Sequence, residues 1–435
     1  MSFFEGKQVI TVTYNDGTDA AGKVDYSPTG RVVHPGATKL GWSYSTDLGK
    51  SWKYGGAVPP PPGWAALWGD PAITSDFLDQ RNVFISNLAI PSSKMPAGGI
   101  SGDLDGYIGG ACIARSRDGG ITFKSLECVS NNSHFYDGGS MAAAGSARDR
   151  SVYAAYVDVN AARIDVYRAP DDDGHFKLMA DPFPGMKMFS HPRLRFDRST
   201  GSLYVGAIAG DGGVYLNRFT GGAWDKPILA SNSTAGNPRV QLSDRKLRTG
   251  YQFSYDVGAT SKAGNDGVRT LYTVKDTDTN RFYVRGSRCS FDLSGVCRDV
   301  PEWGTTPGNF SIEGQQFNPS VRAFPGFLGL RPAWKATYMS TEDDPSGNTV
   351  SIKEGDLTVL PDGTRLFLPF DLVEGQVVCP DARGYWGDYN ELQLIGFKDD
   401  GTAQFIMPHS DSSKGCASRW TYTSQEVHVS AVVFE

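Results

Sequence analysis

The sequence predicts an all-β chain, a single β-propeller domain over residues 1–435, with six or seven four-stranded blades (seven favoured) and closure by pairing of the chain ends. Two observations support this prediction. Apolar residues come in short alternating runs, such as QVITVTY, SVYAAYV and SLYVGAIA, bounded by Gly, Asp, Asn and Pro, which is the pattern of strands and turns. One strand–turn–strand element also recurs along the chain, at a spacing that suits a four-stranded meander.

The recurring element begins with a polar residue, usually followed by Pro or Gly, and continues with an alternating strand, a turn and a second strand. Its six copies begin at Asp70, Asp137, His191, Asn237, Asn318 and Asp388. A proline at the start of a strand is tolerated because the first residue can give up its amide without breaking a ladder hydrogen bond. The segment from Gln8 to Gly56 carries three more strand-like runs and predicts a seventh, incomplete unit.

The composition excludes several classes of partner. The net charge of −6 argues against nucleic acid, because phosphate binders usually show a basic excess. No apolar run approaches the roughly 18 residues of a membrane-spanning helix, so we expect no membrane insertion. We expect a monomer without a cofactor, and no zinc, because no pair of histidines has metal-ligand spacing. The acidic turns at 171–174 and 342–344 can hold a structural calcium ion through their oxygens.

The six cysteines fall into three pairs that are close in sequence: Cys112 with Cys128, Cys289 with Cys297, and Cys379 with Cys416. An even count in local pairs predicts disulfides, and disulfides persist in secreted or periplasmic proteins. The first residues, MSFFEGKQVI, do not have the pattern of a signal peptide, so either such a peptide has been removed or the cysteine pairs are reduced thiols.

Two segments share the pattern Ser-x-Asp-x-Gly-x-Ser/Thr-aromatic, at residues 45–52 and 116–123. The carboxylate can accept hydrogen bonds from turn amides, glycine supplies a positive φ, and the hydroxyls satisfy further backbone groups. These residues resemble the Asp-box, or BNR repeat, of the sialidase-like propellers. The resemblance implies a propeller over essentially the whole chain, with the box between the third and fourth strands of a blade, opposite the active site. Asp47 and Asp118 are therefore expected to serve structure rather than chemistry.

In a propeller the first strands of the blades begin on one face, around a central channel. The six copy starts should therefore converge there into one concave polar site, the arrangement expected of a ligand mouth. We expect substrate-binding residues among these starts and the loops beside them, where arginine suits a carboxylate and tryptophan can stack on a sugar ring. The candidates are Arg193, Arg239, Arg383, Asp137, Asp388, Trp68 and Trp386.

The resemblance to sialidases implies a tyrosine nucleophile with a glutamate partner, a carboxylic acid/base and an arginine triad. Tyr385 or Tyr389 fits the first role, with Glu313 or Glu391 as the partner. Asp70 fits the acid/base role, because the WALWGDP loop can partly desolvate it. A second route uses a histidine, His34, His134 or His191, as the base in a lyase or glycosidase acting on a uronic acid.

The sequence thus predicts a secreted enzyme that cleaves terminal acidic sugars, sialic or uronic, by hydrolysis or elimination. The alternative is a carbohydrate-binding propeller without chemistry, a lectin or adhesion module. The chain lacks the Phe/Tyr-Arg-Ile-Pro tetrapeptide that sialidases usually carry, which favours the lectin over a strict sialidase. A single ring of differing polar residues, rather than one equal pocket in each blade, favours the enzyme.

Overall fold

The structure is a computed structural model of the 435-residue chain. It describes every residue outside the following segments: 1, 5, 16–23, 28–29, 77, 103, 105, 131–133, 145–148, 171–174, 190–191, 232–238, 242–245, 249–252, 259–266, 277, 292–295, 300–313, 325–332, 345–348, 360–364, 378–392, 398–402, 412–425 and 434–435. The chain divides into two compact units, residues 1–210 with 217–225, and residues 211–216 with 226–435.

The first unit contains four large antiparallel sheets and a small one. Sheet 1 has the order β1 (Ser2–Phe4), β2 (Lys7–Asn15), β5 (Leu40–Ser45), β6 (Lys53–Ala57). The small sheet has the order β10 (Ile100–Ser101), β4 (Gly30–Val33), β3 (Val24–Ser27). In sheet 2, β7 (Trp64–Leu67) and β8 (Ala72–Ser75) both pair with β9 (Val83–Pro91), followed by β11 (Gly110–Ser116) and β12 (Lys124–Ser130).

Sheets 3 and 4 complete this unit. Sheet 3 has the order β13 (Tyr136–Ala143), β14 (Val152–Asp158), β15 (Arg163–Ala169), β16 (Lys177–Leu178). Sheet 4 has the order β17 (Arg193–Asp197), β18 (Ser202–Ile208), β19 (Val214–Thr220), β20 (Ala223–Trp224). The first residues of β19 belong to the second unit, where they pair with β21 (Ile228–Ser231).

The second unit contains two further large sheets. Sheet 5 has the order β24 (Phe253–Val257), β25 (Val268–Lys275), β26 (Phe282–Ser290), β27 (Val296–Asp299). Sheet 6 has the order β28 (Gln316–Phe324), β29 (Ala333–Ser340), β30 (Thr349–Val359), β31 (Arg365–Val377). Two smaller sheets are β22 (Arg239–Gln241) with β23 (Lys246–Arg248), and β32 (Gln393–Phe397), β33 (Ala403–Asp411), β34 (Glu426–Val433).

The predicted fold class is confirmed, with six blades. Sheets 1 to 6 each have at least four antiparallel strands, and such meanders are the blades of a β-propeller. The favoured count of seven is not confirmed. Strand β1 pairs with β2, and β34 with β33, so closure by the chain ends stays a prediction. In the described part of the chain, the only helical element is a 3₁₀ turn at Ser92–Lys94, and no helix is long and apolar enough to cross a membrane.

Strand β9 shows where the core of the first unit lies, since all nine of its residues are buried. Phe84 and Leu88 pack with Tyr136 and Tyr156 of sheet 3, whereas residues on the other face, such as Ile85, join a cluster with Trp42 of sheet 1. Because successive side chains of a strand point to opposite faces, a continuous apolar run fills the space on both sides of the sheet.

Two of the copy starts, Asn318 and Asp137, form bulges rather than simple strand beginnings. Asn318 and Pro319 lie inside β28, where the pairing with β29 shifts register between Phe317 and Ser320. Proline has no amide hydrogen to give to the ladder, so the strand accommodates it by a bulge. The same device interrupts the pairing of β13 after Asp137. The copy predicted from residue 237 supplies the two-stranded sheet β22–β23, and sheet 5 begins at β24.

The first strands of neighbouring sheets are joined by side chains that accept backbone hydrogen bonds. In the first unit, Asp70 accepts from the amide of Gly138, and Ser140 accepts from that of Leu194. In the second unit, Ser254 accepts from Val321, and Asp256 accepts from Ala323. An unpaired buried backbone amide costs about 1–3 kcal/mol of folding free energy. These side chains therefore stabilise the fold by supplying hydrogen-bond acceptors to amides on the edge of each first strand.

Both segments with the Asp-box pattern lie between the third and fourth strands of a sheet and form the predicted side-chain network. In the first, the Asp47 carboxylate accepts from the amide and hydroxyl of Ser51, at 2.9 and 2.5 Å, and from Ser45 Oγ at 2.7 Å. In the second, Asp118 accepts the equivalent bonds from Thr122 and Ser116. The structural role expected of both aspartates is thus visible in their contacts.

The Asp47 network predicts a pH-dependent contribution to stability. Hydrogen bonds from Ser51 and then Ser45 lower the pKa of Asp47 from 3.8 to about 2. Because the folded-state pKa is the lower one, the stabilisation is full above about pH 4 and is lost as the pH falls towards 2. The melting temperature of the native chain should therefore fall more steeply over this range than that of Asp47→Asn. Ser51→Ala should give an intermediate slope, and equal slopes for all three would contradict the assignment.

Two of the three predicted cysteine pairs are disulfides that join directly opposite residues on neighbouring strands. Cys112 of β11 is bonded to Cys128 of β12, and Cys289 of β26 to Cys297 of β27. The predicted pair Cys379–Cys416 lies outside the described residues.

Candidate active site at the Asp70–Asp137 pair

Asp70 lies at the break between β7 and β8, in a conformation that favours neither a straight strand nor a helix. Its φ is 52°, in the left-handed region, and the preceding Gly69 has a φ of 81°. Aspartate is among the few residues besides glycine and asparagine that visit this region readily. The two positive φ values turn the chain out of the first strand and leave the Asp70 carboxylate half-buried beside sheet 3.

The Asp70 and Asp137 carboxylates meet at one backbone amide. Gly138 N lies 3.0 Å from Asp70 Oδ2 and 2.9 Å from Asp137 Oδ1. The two carboxylate oxygens therefore lie at most about 6 Å apart, because both are within hydrogen-bond distance of the same nitrogen. Gly138 has a φ of 59°, and a side chain on Gly139 would come within 3.1 Å of the Asp70 carbonyl oxygen. The glycines of the Asp137 bulge thus allow the close approach of the two aspartates.

Two of the other predicted substrate-binding residues, Trp68 and Arg193, have described side chains, and both are largely buried. Trp68 is 7% exposed, packs in the core shared by sheets 2 and 3, and has Lys39 Nζ 4.3 Å from its ring centroid. Arg193 is 5% exposed and opens β17, next to Leu194, whose amide donates to Ser140 Oγ. Their roles in stacking on a sugar and binding a carboxylate stay predictions.

Most of the remaining predicted site residues fall outside the described part of the chain. They are His191, Glu313, Arg383, Tyr385, Trp386, Asp388, Tyr389 and Glu391. Arg239 opens β22, where the backbone alone is described. The tyrosine nucleophile, its glutamate partner and two of the three arginines therefore stay predictions.

A second polar cluster lies beside Asp137, at the end of sheet 3 where β13 begins. His134 Nδ1 lies 2.6 Å from Asp158 Oδ2, and Asp158 is fully buried. Arg163 Nε donates to Asp165 at 2.7 Å, and the Tyr136 hydroxyl donates to the same carboxylate at 2.8 Å. Burial and the hydrogen bond to Tyr167 raise the pKa of Tyr136, so this phenol stays protonated and acts as a donor.

The sequence analysis named His134 only as one of three candidate bases and missed its partner. Asp158 is the polar residue that ends the apolar run SVYAAYVD, and this position is the sequence signal that could have identified it as a candidate partner. Pairing across the sheet places Asp158 directly opposite Tyr136, two residues after His134, and this register is what brings the two together.

The acidic run 342–344, one of the two considered for calcium, lies in the equivalent turn of sheet 6, and a calcium ion there stays a prediction. The Glu342 carboxylate accepts from Gln316 Nε2 at 2.6 Å, and burial raises its pKa. Asp343 binds Lys353 Nζ at 2.7 Å, and Asp344 accepts from Thr349. Each carboxylate of 342–344 thus contacts a protein group, and within the described residues no group of three acidic, histidine or cysteine side chains is arranged for a metal. The run 171–174 lies outside them.

Comparison with known proteins gives low similarity throughout. No family model matches the chain, and no curated protein matches it. Among solved structures, NanB sialidase from Streptococcus pneumoniae is 13% identical over 100% of this chain and 70% of its own, with a TM-score of 0.41. A mutant of AofleA from Arthrobotrys oligospora is 12% identical over 85% and 89%, with a TM-score of 0.47.

A glycoside hydrolase family 43 arabinoxylan arabinofuranohydrolase from Bacillus subtilis is 11% identical over 80% of this chain and 78% of its own, with a TM-score of 0.36. At TM-scores below 0.5, these likenesses carry no argument about what this chain does.

Proposed function

We propose that this chain is a glycan-cleaving enzyme whose chemistry is carried by the Asp70–Asp137 pair. The observation behind the proposal is that two half-buried carboxylates share the Gly138 amide, with oxygens at most about 6 Å apart. Most glycoside hydrolases use such a pair, one carboxyl group in acid form and one carboxylate, on either side of the scissile bond.

The short separation favours hydrolysis with retention of configuration. Retaining enzymes hold the two carboxyl groups about 5–5.5 Å apart, whereas inverting enzymes leave about 6.5–9.5 Å for a water molecule. Asp70, expected from the sequence to be the acid/base, would protonate the departing sugar oxygen. Asp137, expected from the sequence to bind substrate, would replace the expected tyrosine as nucleophile and attack the anomeric carbon. Water would then hydrolyse the resulting ester with Asp70 as the base.

The preference for acidic sugars, sialic or uronic, is the finer part of the proposal. It rests on Arg193, the first residue of β17. The amide of the next residue, Leu194, donates to Ser140 Oγ, and Ser140 lies three residues beyond Asp137. A guanidinium can bind a substrate carboxylate through two parallel hydrogen bonds. The two disulfides support a place outside the reducing cytosol, where such glycans are found.

The proposal is tested by incubating the chain with a panel of sialylated, uronic-acid-containing and neutral oligosaccharides. Both the binding of the chain to the immobilised glycans and the release of products are monitored. We expect release of a reducing sugar, strongest with an acidic terminal residue and with retained anomeric configuration by NMR. Binding to immobilised glycans without any product would overturn the proposal of an enzyme in favour of a lectin. An ultraviolet-absorbing unsaturated uronate among the products would replace hydrolysis by elimination.

A further inference from the structure

The turn between β14 and β15 contacts two segments that carry solvent-accessible side chains, at the end of sheet 3 where β13 begins. On one side, the Val159 amide donates to the Phe135 carbonyl at 3.0 Å, which fixes the segment that contains His134. On the other side, the Met188 amide donates to the Ala162 carbonyl at 2.7 Å, which fixes the segment that contains Phe189. His134 and Phe189 therefore flank one five-residue turn, Asp158 to Ala162.

Phe189 is a solvent-exposed ring on a rigid support. It is 57% exposed, the highest value among the large apolar side chains of the described residues. Its amide donates to the Ile208 carbonyl at 3.1 Å, and the Gly210 amide donates to the Lys187 carbonyl at 2.8 Å. A Cβ atom on Gly210 would lie 2.8 Å from the ring, so the ring rests against this glycine. Gly210 therefore covers one side of the ring, and more than half of the residue stays accessible to a ligand.

His134 presents an oriented imidazole edge on the other side of the turn. Asp158 is held by the Ala161 amide at 2.9 Å as well as by His134. The 2.6 Å contact between His134 Nδ1 and Asp158 Oδ2 sets the orientation of the imidazole ring. The side chain keeps 31% of its surface exposed, which leaves it accessible to a ligand.

We propose that Phe189 and His134 form a subsite for a second sugar residue, so that the enzyme prefers oligosaccharides over single glycosides. The inference rests on the proposed function. A sugar offers an apolar C–H face that packs on an aromatic ring and a rim of hydroxyls that an imidazole can bind. His134 lies three residues before Asp137, and three residues of chain span at most about 11 Å, so one short glycan reaches both.

Steady-state kinetics on a series of substrates of increasing length test the subsite. We expect Phe189→Ala to raise KM about tenfold for oligosaccharides, with kcat unchanged and with no effect on a single-sugar aryl glycoside. Phe189→Trp should retain the affinity for longer substrates. Gly210→Ala should weaken it, because the added methyl group displaces the ring. His134→Gln should raise KM several-fold without a stability loss, since the glutamine amide can still donate to Asp158.

Tyr54→Ala is the matched control, because Tyr54 is 56% exposed but lies on β6 of sheet 1. An equal KM for the native chain and Phe189→Ala on every substrate length would overturn the subsite, while loss of activity in Asp137→Asn would leave the proposed function standing. An equal rise of KM in Tyr54→Ala would also overturn it. If the native chain cleaves nothing, calorimetric binding of the same oligosaccharides to the native chain and Phe189→Ala still decides the subsite.

Discussion

Replacing Asp137 with asparagine should lower kcat on a cleaved glycan by at least about 1,000-fold, with little change in the melting temperature. The side-chain oxygen of the new asparagine can still accept from Gly138 N, so the bulge keeps its hydrogen bond. What is lost is the negative charge, and with it the nucleophile of the proposed reaction. Asp70→Asn should have an equally large effect, because its amide cannot supply the acidic proton.

Asp149→Asn is the control for a general effect of removing a carboxylate from sheet 3. Asp149 accepts from the Ser151 amide and the Tyr153 hydroxyl just before β14 begins, at the opposite end of the sheet from Asp137. This variant should keep the full kcat. If Asp137→Asn and Asp70→Asn retain activity but melt several degrees lower, the pair is a structural clasp and the proposed active site is wrong.

Substituting alanine for Gly110 should lower the free energy of unfolding by about 2–3 kcal/mol, the cost of overpacking a buried site. Gly110 opens β11 in the centre of sheet 2, opposite Ser130 of β12 and Ala89 of β9. A Cβ atom there would collide with the carbonyl oxygen of Val129 and with the Trp64 ring. The backbone oxygen cannot move aside without breaking the pairing of β11 with β12.

Gly106→Ala is the matched control, since a Cβ atom at that position meets no other atom within 4 Å. Its free energy of unfolding should stay within about 0.5 kcal/mol of the native value. Urea denaturation of the three chains measures the difference as a shift of the midpoint. A midpoint for Gly110→Ala that equals the native one would show that sheet 2 is not packed as described.

Features that depend on a few consecutive residues could be predicted from the sequence. The Asp47 and Asp118 networks involve side chains two to four residues apart, so the pattern alone specifies their hydrogen bonds. The local disulfides follow from the same principle, because Cys112 and Cys128 lie on strands joined by a short turn. The all-β class follows from alternation and from turn residues, which are also local.

Features that depend on the register between distant segments could not be predicted from the sequence. The contact of His134 with Asp158 spans 24 residues, and that of Asp70 with Gly138 spans 68. The repeat predicted that Asp70 and Asp137 converge, but not that both would bind the amide of Gly138. That geometry depends on where the bulge falls, and a shift of one residue would turn the side chains to the other face. The exposure of Phe189 likewise depends on the contacts of its segment with Ala162 and Ile208.

The hydrogen bonds that join the first strands of neighbouring sheets all run in the same direction along the chain. In all four bonds, the acceptor belongs to the earlier sheet and the amide to the later one, as with Ser140 and Leu194 or Ser254 and Val321. A chain emerging from the ribosome at about 5–20 residues per second completes the earlier sheet first. Within each unit, sheets 3, 4 and 6 therefore meet acceptors that are already in place, and we expect these sheets to assemble in chain order during synthesis.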